Sequence, residues 1–170
     1  MVGQVRRSRV EVVKRKSLEG NLCPVARSLD IIGDWWSLLI VRDALLGVRR
    51  FSEFQRSLGA AKNILTVRLR RLVAEGILEL APAADGSAYQ EYVPTQKGRA
   101  LLPVLAALGQ WGREHLFDQG EPYALMIDAE HGRPVRKLEI LAQDGRVLTA
   151  DDVLVQPRPH VRATEPHGQE

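Results

Sequence analysis

Asn63, Val67 and Arg70 recur at intervals of four and three residues within the run Lys62–Glu75. A helix over that run sets them, with Arg71, opposite an apolar face of Leu65, Leu69, Leu72 and Val73, and leaves Thr66 and Arg68 on the flanks. The only acidic residue in the run is Glu75, at its far end. Amide, hydroxyl, methyl and guanidinium groups without a carboxylate are the set that can read base edges in a DNA major groove. There Asn pairs with adenine, Arg with guanine, and an apolar group touches the thymine methyl. Taken alone, the same pattern also describes an amphipathic surface helix with solvated arginines.

A second chemical candidate is Cys23, the only cysteine of the chain, directly before Pro24. Proline suits a first helical position because its missing N–H would be unpaired there, so Cys23 falls at the helix cap. Unpaired amides, the helix dipole and Arg27 one turn on all favour a thiolate, the reactive form toward oxidants and electrophiles. The alternative is a small residue that caps and packs.

The surrounding elements decide between these readings. Apolar Val25, Ala26, Leu29, Ile31 and Ile32 follow Pro24 and stop at Gly33; Asp34 then caps a helix over 35–46 whose predicted core stripe is Trp35, Leu38, Leu39, Leu45 and Leu46. Ser52 with Gln55 reads as a capping box for a short helix over 52–58. Gly59-Ala60-Ala61 connects it to the helix that starts at Lys62 and closes at Gly76. Ile77–Leu80 and Tyr89–Val93 read as a hairpin around Asp85-Gly86, and Thr95 caps a long helix to about residue 117. Two short helices, a glycine-containing turn and a hairpin form the layout of a winged helix-turn-helix. The expected fold class is therefore α+β, mainly helical, with a C-terminal dimerisation helix and a small β appendage.

Several runs strengthen this reading. Cys23-Pro24-Val25, Leu29–Gly33, Trp36 and Leu38–Ile40 resemble the start of the HxlR-type winged-helix regulators, and Arg49–Phe54 resembles that family's Arg-Phe-x-Glu-Leu stretch. Lys62–Thr66, Arg68-Leu69 and Leu72 resemble its recognition helix; Glu91–Thr95 with Lys97-Gly98 resembles its last strand and the following helix start. The resemblance implies a homodimeric transcriptional regulator, in the common case a repressor, on a palindromic double-stranded DNA operator. Carried over residue by residue, it places Lys62, Asn63, Thr66, Val67 and Arg70 toward the operator and Arg49, Arg50, Ser52 and Arg68 near the phosphates. It also implies that Cys23 could sense quinones, aldehydes or peroxide. Two departures stand out: Ala61 replaces a capping serine, and the wing, residues 81–88, holds Asp85 and no basic residue.

Charge is distributed unevenly along the chain. Residues 1–22 carry +4, residues 23–117 carry +3 and residues 118–170 carry −4. A basic arm over 1–21 ahead of a mildly basic body fits a chain that touches phosphate, and also fits a solubilising leader. Domain boundaries are expected at 22–117 for the winged helix, 118–156 for a small β-meander (strands at 124–128, 135–141 and 146–148) and 157–170 for a disordered tail. In the helix after Thr95, Leu101, Leu105, Leu108 and Trp111 recur at helical spacing; with Leu22 they are the expected dimer interface.

Other classes are disfavoured. Uncharged stretches such as Trp35–Val41 and Ala100–Trp111 fall short of the ~20 residues of a membrane helix, and residues 1–20 lack the apolar run of a signal peptide, so a cytoplasmic protein is expected. There is no phosphate-binding glycine loop and no G-x-S-x-G elbow, so no enzyme and no cofactor are expected. His115, His131, His160 and His167 are scattered, so no metal is expected. Two further readings stay open: a winged-helix protein-interaction module, and a regulator that takes a small apolar ligand among Trp35, Trp36 and Trp111.

Overall fold

The computed structural model describes residues 17–156. Most of the basic arm and the whole of the segment 157–170 lie outside the described residues.

Helix α1 (Pro24–Ile32) has Cys23 at its N-cap and proline in its first turn. Helix α2 (Trp35–Leu45) starts at Asp34, whose carboxylate accepts from the Ser37 amide at 3.0 Å and the Ser37 hydroxyl at 2.6 Å. Helix α3 (Phe51–Leu58) ends at Gly59, which turns the chain through φ +61°, a left-handed value that side chains disfavour. Helix α4 (Lys62–Ala74) follows, with no side-chain cap at Ala61. Strands β1 (Leu78–Pro82) and β2 (Gln90–Pro94) pair antiparallel, Leu78 opposite Pro94 and Leu80 opposite Tyr92. The Tyr92 amide also donates to the Arg49 carbonyl at 2.9 Å, tying the hairpin to the start of α3.

Two expectations about these helices are corrected. The box at α3 is not built by Ser52 and Gln55; instead the Glu53 carboxylate accepts from the Arg49 and Arg50 amides, both at 3.0 Å. The helix after Thr95 is also not continuous. Helix α5 (Gln96–Arg99) is capped by the Thr95 hydroxyl, and helix α6 (Leu102–His115) starts afresh two residues later. Pro103 explains the break, since it has no N–H to continue the ladder and its ring crowds the carbonyl four residues back.

The core lies where α2, α3, α4 and the hairpin meet. Ile40, Val41, Ala44, Phe54, Leu65, Leu69, Leu72 and Leu78 are buried in it, with Ile32 and Ile77 at its edges. The α4 face is the expected one. The α2 face is not: Trp35 and Leu46 are exposed, Leu38 and Leu45 only flank the core, and Ser37, Ile40, Val41 and Ala44 point inward. A run as apolar as Leu38-Leu39-Ile40-Val41 has no periodic preference for either face, so packing against α4 makes the choice. Asp43 is buried on the same side and is satisfied by Arg42 at 2.7 Å and the Ser57 hydroxyl at 2.7 Å.

Gly98 joins α5 to this core. A Cβ there would stand 2.2 Å from the Ile77 carbonyl oxygen, which accepts from the Thr95 amide. Gly98→Ala is expected to lower unfolding free energy by about 1–3 kcal/mol, the usual cost of overpacking, as read by urea denaturation.

Residues 118–156 form two turns near Gly132 and Gly145, both with positive φ. The strands expected there shrink to single antiparallel bridges, Ile127 with Pro134 and Leu141 with Val147, plus a 3-10 turn at Ala150–Asp152. The appendage is fastened to α6 by Gln110, whose side-chain amide donates to the Arg136 carbonyl at 3.1 Å and accepts from the Leu138 amide at 3.0 Å. Lys137 adds an ion pair to Glu114 at 2.8 Å.

Candidate nucleic-acid interface

Burial of Leu65, Leu69 and Leu72 fixes the rotation of α4 about its axis, and this sets the opposite face free. Lys62, Asn63, Val67 and Arg70 are all exposed, Val67 at 59%. Lys62 and Arg70 make no ion pair among the described residues. Thr66 is half-buried, and its hydroxyl donates to the Lys62 carbonyl at 2.7 Å, so its proton is used within the helix.

The arginines divide into two groups. Arg71, expected on the outward face, instead reaches across to the Asp30 carbonyl at 2.5 Å and joins α4 to α1. Arg68 lies 3.2 Å from the Asp34 carboxylate, so the cap of α2 also pins the flank of α4. Arg49 donates to the Ala44 carbonyl in the last turn of α2 and to the Val48 carbonyl in the loop after it. Ser52 is exposed at the start of α3. Of the expected site residues, then, Lys62, Asn63, Val67 and Arg70 share one open surface, whereas Arg49 and Arg68 are held by the chain's own oxygens.

Arg50 shows what sequence reasoning missed. Its guanidinium pairs with Asp85 on the wing, approaches Glu91 at 3.6 Å and lies over the Tyr89 ring with 5.8 Å to the centroid. The Ser87 amide, which donates at 3.0 Å, and the Arg50 guanidinium hold the Asp85 carboxyl well below the usual carboxylate range. The wing carboxylate that would repel phosphate therefore arrives with its own counter-charge. No periodicity could have signalled a pair separated by 35 positions.

Glu53 is depressed as well, first by the Arg50 amide and then by the Arg49 amide. A carboxyl lowered on folding stabilises above its unfolded pKa, and that contribution is lost as pH falls through the folded value. Glu53→Ala is expected to cost about 1 kcal/mol at neutral pH, with the gap to wild type narrowing as pH drops below about 4 in chemical denaturation.

Cys23 is exposed at the start of α1; its amide donates to the Asn21 side chain at 2.9 Å. Arg27, expected beside the thiol, donates to the Asn21 carbonyl. The expected interface residues also separate. Leu101 and Leu105 are half-buried against the chain's own core, whereas Leu22, Leu108 and Trp111 are exposed, and α6 has no buried residue at all. The tryptophans do not converge: Trp35 rests on Trp36 at 5.2 Å, and Trp111 on His115 at 5.3 Å.

Comparison with known proteins gives this geometry its setting. The family model described as HxlR-like helix-turn-helix matches residues 31–119. The chain belongs to the HxlR-like helix-turn-helix family. The match spans α2 through α6 and so contains the whole exposed face of α4. Among HxlR-like relatives, the HTH-type transcriptional regulator Rv3095 of Mycobacterium tuberculosis, itself uncharacterised, is 37% identical over 142 residues, 82% of this chain and 88% of its own. The crystal structure of PA1607, a candidate transcription factor, superposes with a TM-score of 0.79 at 50% identity and covers 84% of this chain and 100% of its own. A second candidate factor, PA1374 from Pseudomonas aeruginosa, gives 0.57 at 44% identity over 82% and 95%. The redox regulator HypR in its oxidised form gives 0.50 at 33% identity, over 55% of this chain and 97% of its own. The fold is thus the winged helix expected, with family members named as transcriptional regulators. No helix among the described residues is long and apolar enough to cross a membrane.

Proposed function

We propose that the protein binds a specific double-stranded DNA operator through the outward face of α4 and regulates transcription there, as a repressor. The observation that carries this is the exposure of Lys62, Asn63, Val67 and Arg70 on one carboxylate-free surface of the second helix of a helix-turn-helix. Arg70 and Asn63 offer the bidentate donors and acceptors that distinguish guanine and adenine; Val67 offers a methyl surface for thymine. Lys62 and Ser52 stand where phosphates would pass, and Arg49 and Arg68 set the angle at which α4 is presented. An interaction module has no need for free cations on this face.

The operator is a palindrome and the protein a homodimer in this reading. Leu22, Leu108 and Trp111 are exposed along α6 and the segment before α1, and covering them with a second copy would bring two α4 helices to one duplex. Two-fold symmetry then requires half-sites about one DNA turn apart. The test is a gel shift on the DNA upstream of the protein's own gene, in the presence of excess random duplex. A retained complex with a symmetric footprint is expected; equal competition by random duplex would contradict the reading.

The arm supplies what the neutralised wing does not. Residues 1–16 hold Arg6, Arg7, Arg9, Lys14, Arg15 and Lys16 against one acidic residue, Glu11. Deleting them is expected to weaken binding about tenfold or more at moderate salt and to flatten the dependence of log affinity on log salt, because fewer counterions are released. Fluorescence anisotropy across a salt series reads both effects.

A second reading concerns the signal. Cys23 is exposed, and HypR, to which the chain is similar, is named a redox regulator. Cys23 would answer an oxidant or quinone by sulfenic acid formation, thiol capping or a bridge to the same residue of a second copy. Treatment with diamide or benzoquinone is expected to alter operator binding of wild type and leave Cys23→Ser unchanged; identical responses would end this reading.

A further inference from the structure

The cleft between the end of α2, α6 and the appendage encloses about 280 Å3 and contains none of the three tryptophans. Its walls are apolar: Leu45 from α2, Leu102 and Leu105 from α6, and Leu125, Met126 and Val135 from the appendage. Gln110 stands in the wall with both ends of its amide spent on the appendage backbone, so it closes the cleft rather than offering a contact. Two guanidinium groups border the space. That of Arg42 is held by Asp43 at 2.7 Å. That of Arg113 rests against the Tyr123 ring with 5.8 Å to the centroid and makes no ion pair or hydrogen bond among the described residues. Its neighbour Glu114 is taken by Lys137.

From this combination we propose that the cleft is a binding site for a small amphipathic anion, a monocarboxylate with an aliphatic or aromatic body of about ten heavy atoms. The volume lies just below the usual range of about 300–1,000 Å3 for ligand pockets, which limits the body to that size. The apolar walls bury the tail, and Arg113 is the available cation for the carboxylate, a charge-assisted contact stronger than one between neutral groups. The site depends on the appendage, because Ala124, Leu125, Met126 and Val135 supply four of its nine apolar lining residues. It also touches α2, whose buried Ile40, Val41 and Ala44 share one core with Leu65, Leu69 and Leu72 of α4, so an occupant bears on the helix behind the candidate DNA surface.

Isothermal titration of the full chain with octanoate, and with 1-octanol as the uncharged body of equal length, tests the proposal without DNA, so its outcome is independent of the operator reading. One octanoate per chain is expected to bind, with 1-octanol weaker. Arg113→Gln is expected to weaken octanoate about tenfold or more and leave 1-octanol unchanged, the loss expected for one charged hydrogen bond. Ala106→Phe, which fills the cleft from α6, is expected to abolish both. Equal affinity for the acid and the alcohol, or an Arg113→Gln protein that binds octanoate like wild type, would overturn the proposal. Loss of dimerisation in Ala106→Phe, read by sedimentation, would assign the cleft to a second copy of the chain and overturn it too.

Discussion

Replacing Arg70 with alanine is expected to reduce operator affinity by about 1–3 kcal/mol, roughly ten- to a hundredfold, and to leave affinity for random duplex nearly unchanged. The asymmetry follows from where the guanidinium stands. Arg70 is exposed, has no ion-pair partner among the described residues and lies one helical turn beyond Val67 on the face opposite the buried leucines. A side chain so placed holds no part of the fold together, so its removal should be felt in base discrimination and not in stability. Arg49 predicts the reverse. Its guanidinium closes the Ala44 carbonyl in the last turn of α2 and the Val48 carbonyl in the loop after it, so Arg49→Ala should lower stability and weaken every duplex alike. Competition binding against single-base variants of the operator separates the two: relaxed preference at one symmetric position for Arg70→Ala, unchanged preference for Arg49→Ala.

Leu69→Ala carries the largest expected effect on the fold. Leu69 is fully buried in the core, and truncating a leucine in such a place costs about 2–5 kcal/mol through lost burial and the cavity left behind. In a domain whose total stability is about 5–15 kcal/mol, that is a large fraction. Thermal unfolding followed by circular dichroism would show a lowered, still cooperative transition. DNA binding by the surviving folded fraction should keep its base preference, since Leu69 faces away from Asn63 and Arg70. A change in preference would mean that α4 shifts within its socket when the core loosens.

The contrast between these residues shows what could be read from the chain alone. Local signals were legible where one residue type has one use. Pro24 after Cys23, Asp34 before Trp35, and Gly59 ahead of Lys62 mark boundaries that the structure keeps, because caps and left-handed turns are decided by neighbours in sequence. The two faces of α4 were legible because its leucines alternate with polar residues at helical spacing. In α2 the run Leu38–Val41 offers no such contrast, and Trp35 and Leu46, expected in the core, stay outside it. The appended segment misled for a related reason: its alternation suits strands, yet backbone pairing stops at one bridge per turn.

Long-range electrostatics was the least legible part. Arg49, Arg50 and Arg68 are cations in a sequence resembling phosphate binders, and nothing local reveals that the Ala44 and Val48 carbonyls, Asp85 with Glu91, and Asp34 already hold them. Of the nine residues expected at DNA, Lys62, Asn63, Val67 and Arg70 share one exposed face of α4. The structure also gives the acidic wing a reason to be tolerated: the Asp85 carboxylate, stabilised by Ser87 and Arg50, is ionised but neutralised in place.

The most direct measurement is methylation protection on the selected operator. Dimethyl sulfate marks guanine N7 in the major groove and adenine N3 in the minor groove, so the pattern reports which groove α4 occupies. Wild type should protect guanine N7 at symmetric positions in two half-sites, and Arg70→Ala should lose protection at one guanine in each. Protection confined to adenine N3, or a wild-type pattern unchanged by Arg70→Ala, would contradict the placement of this face against DNA.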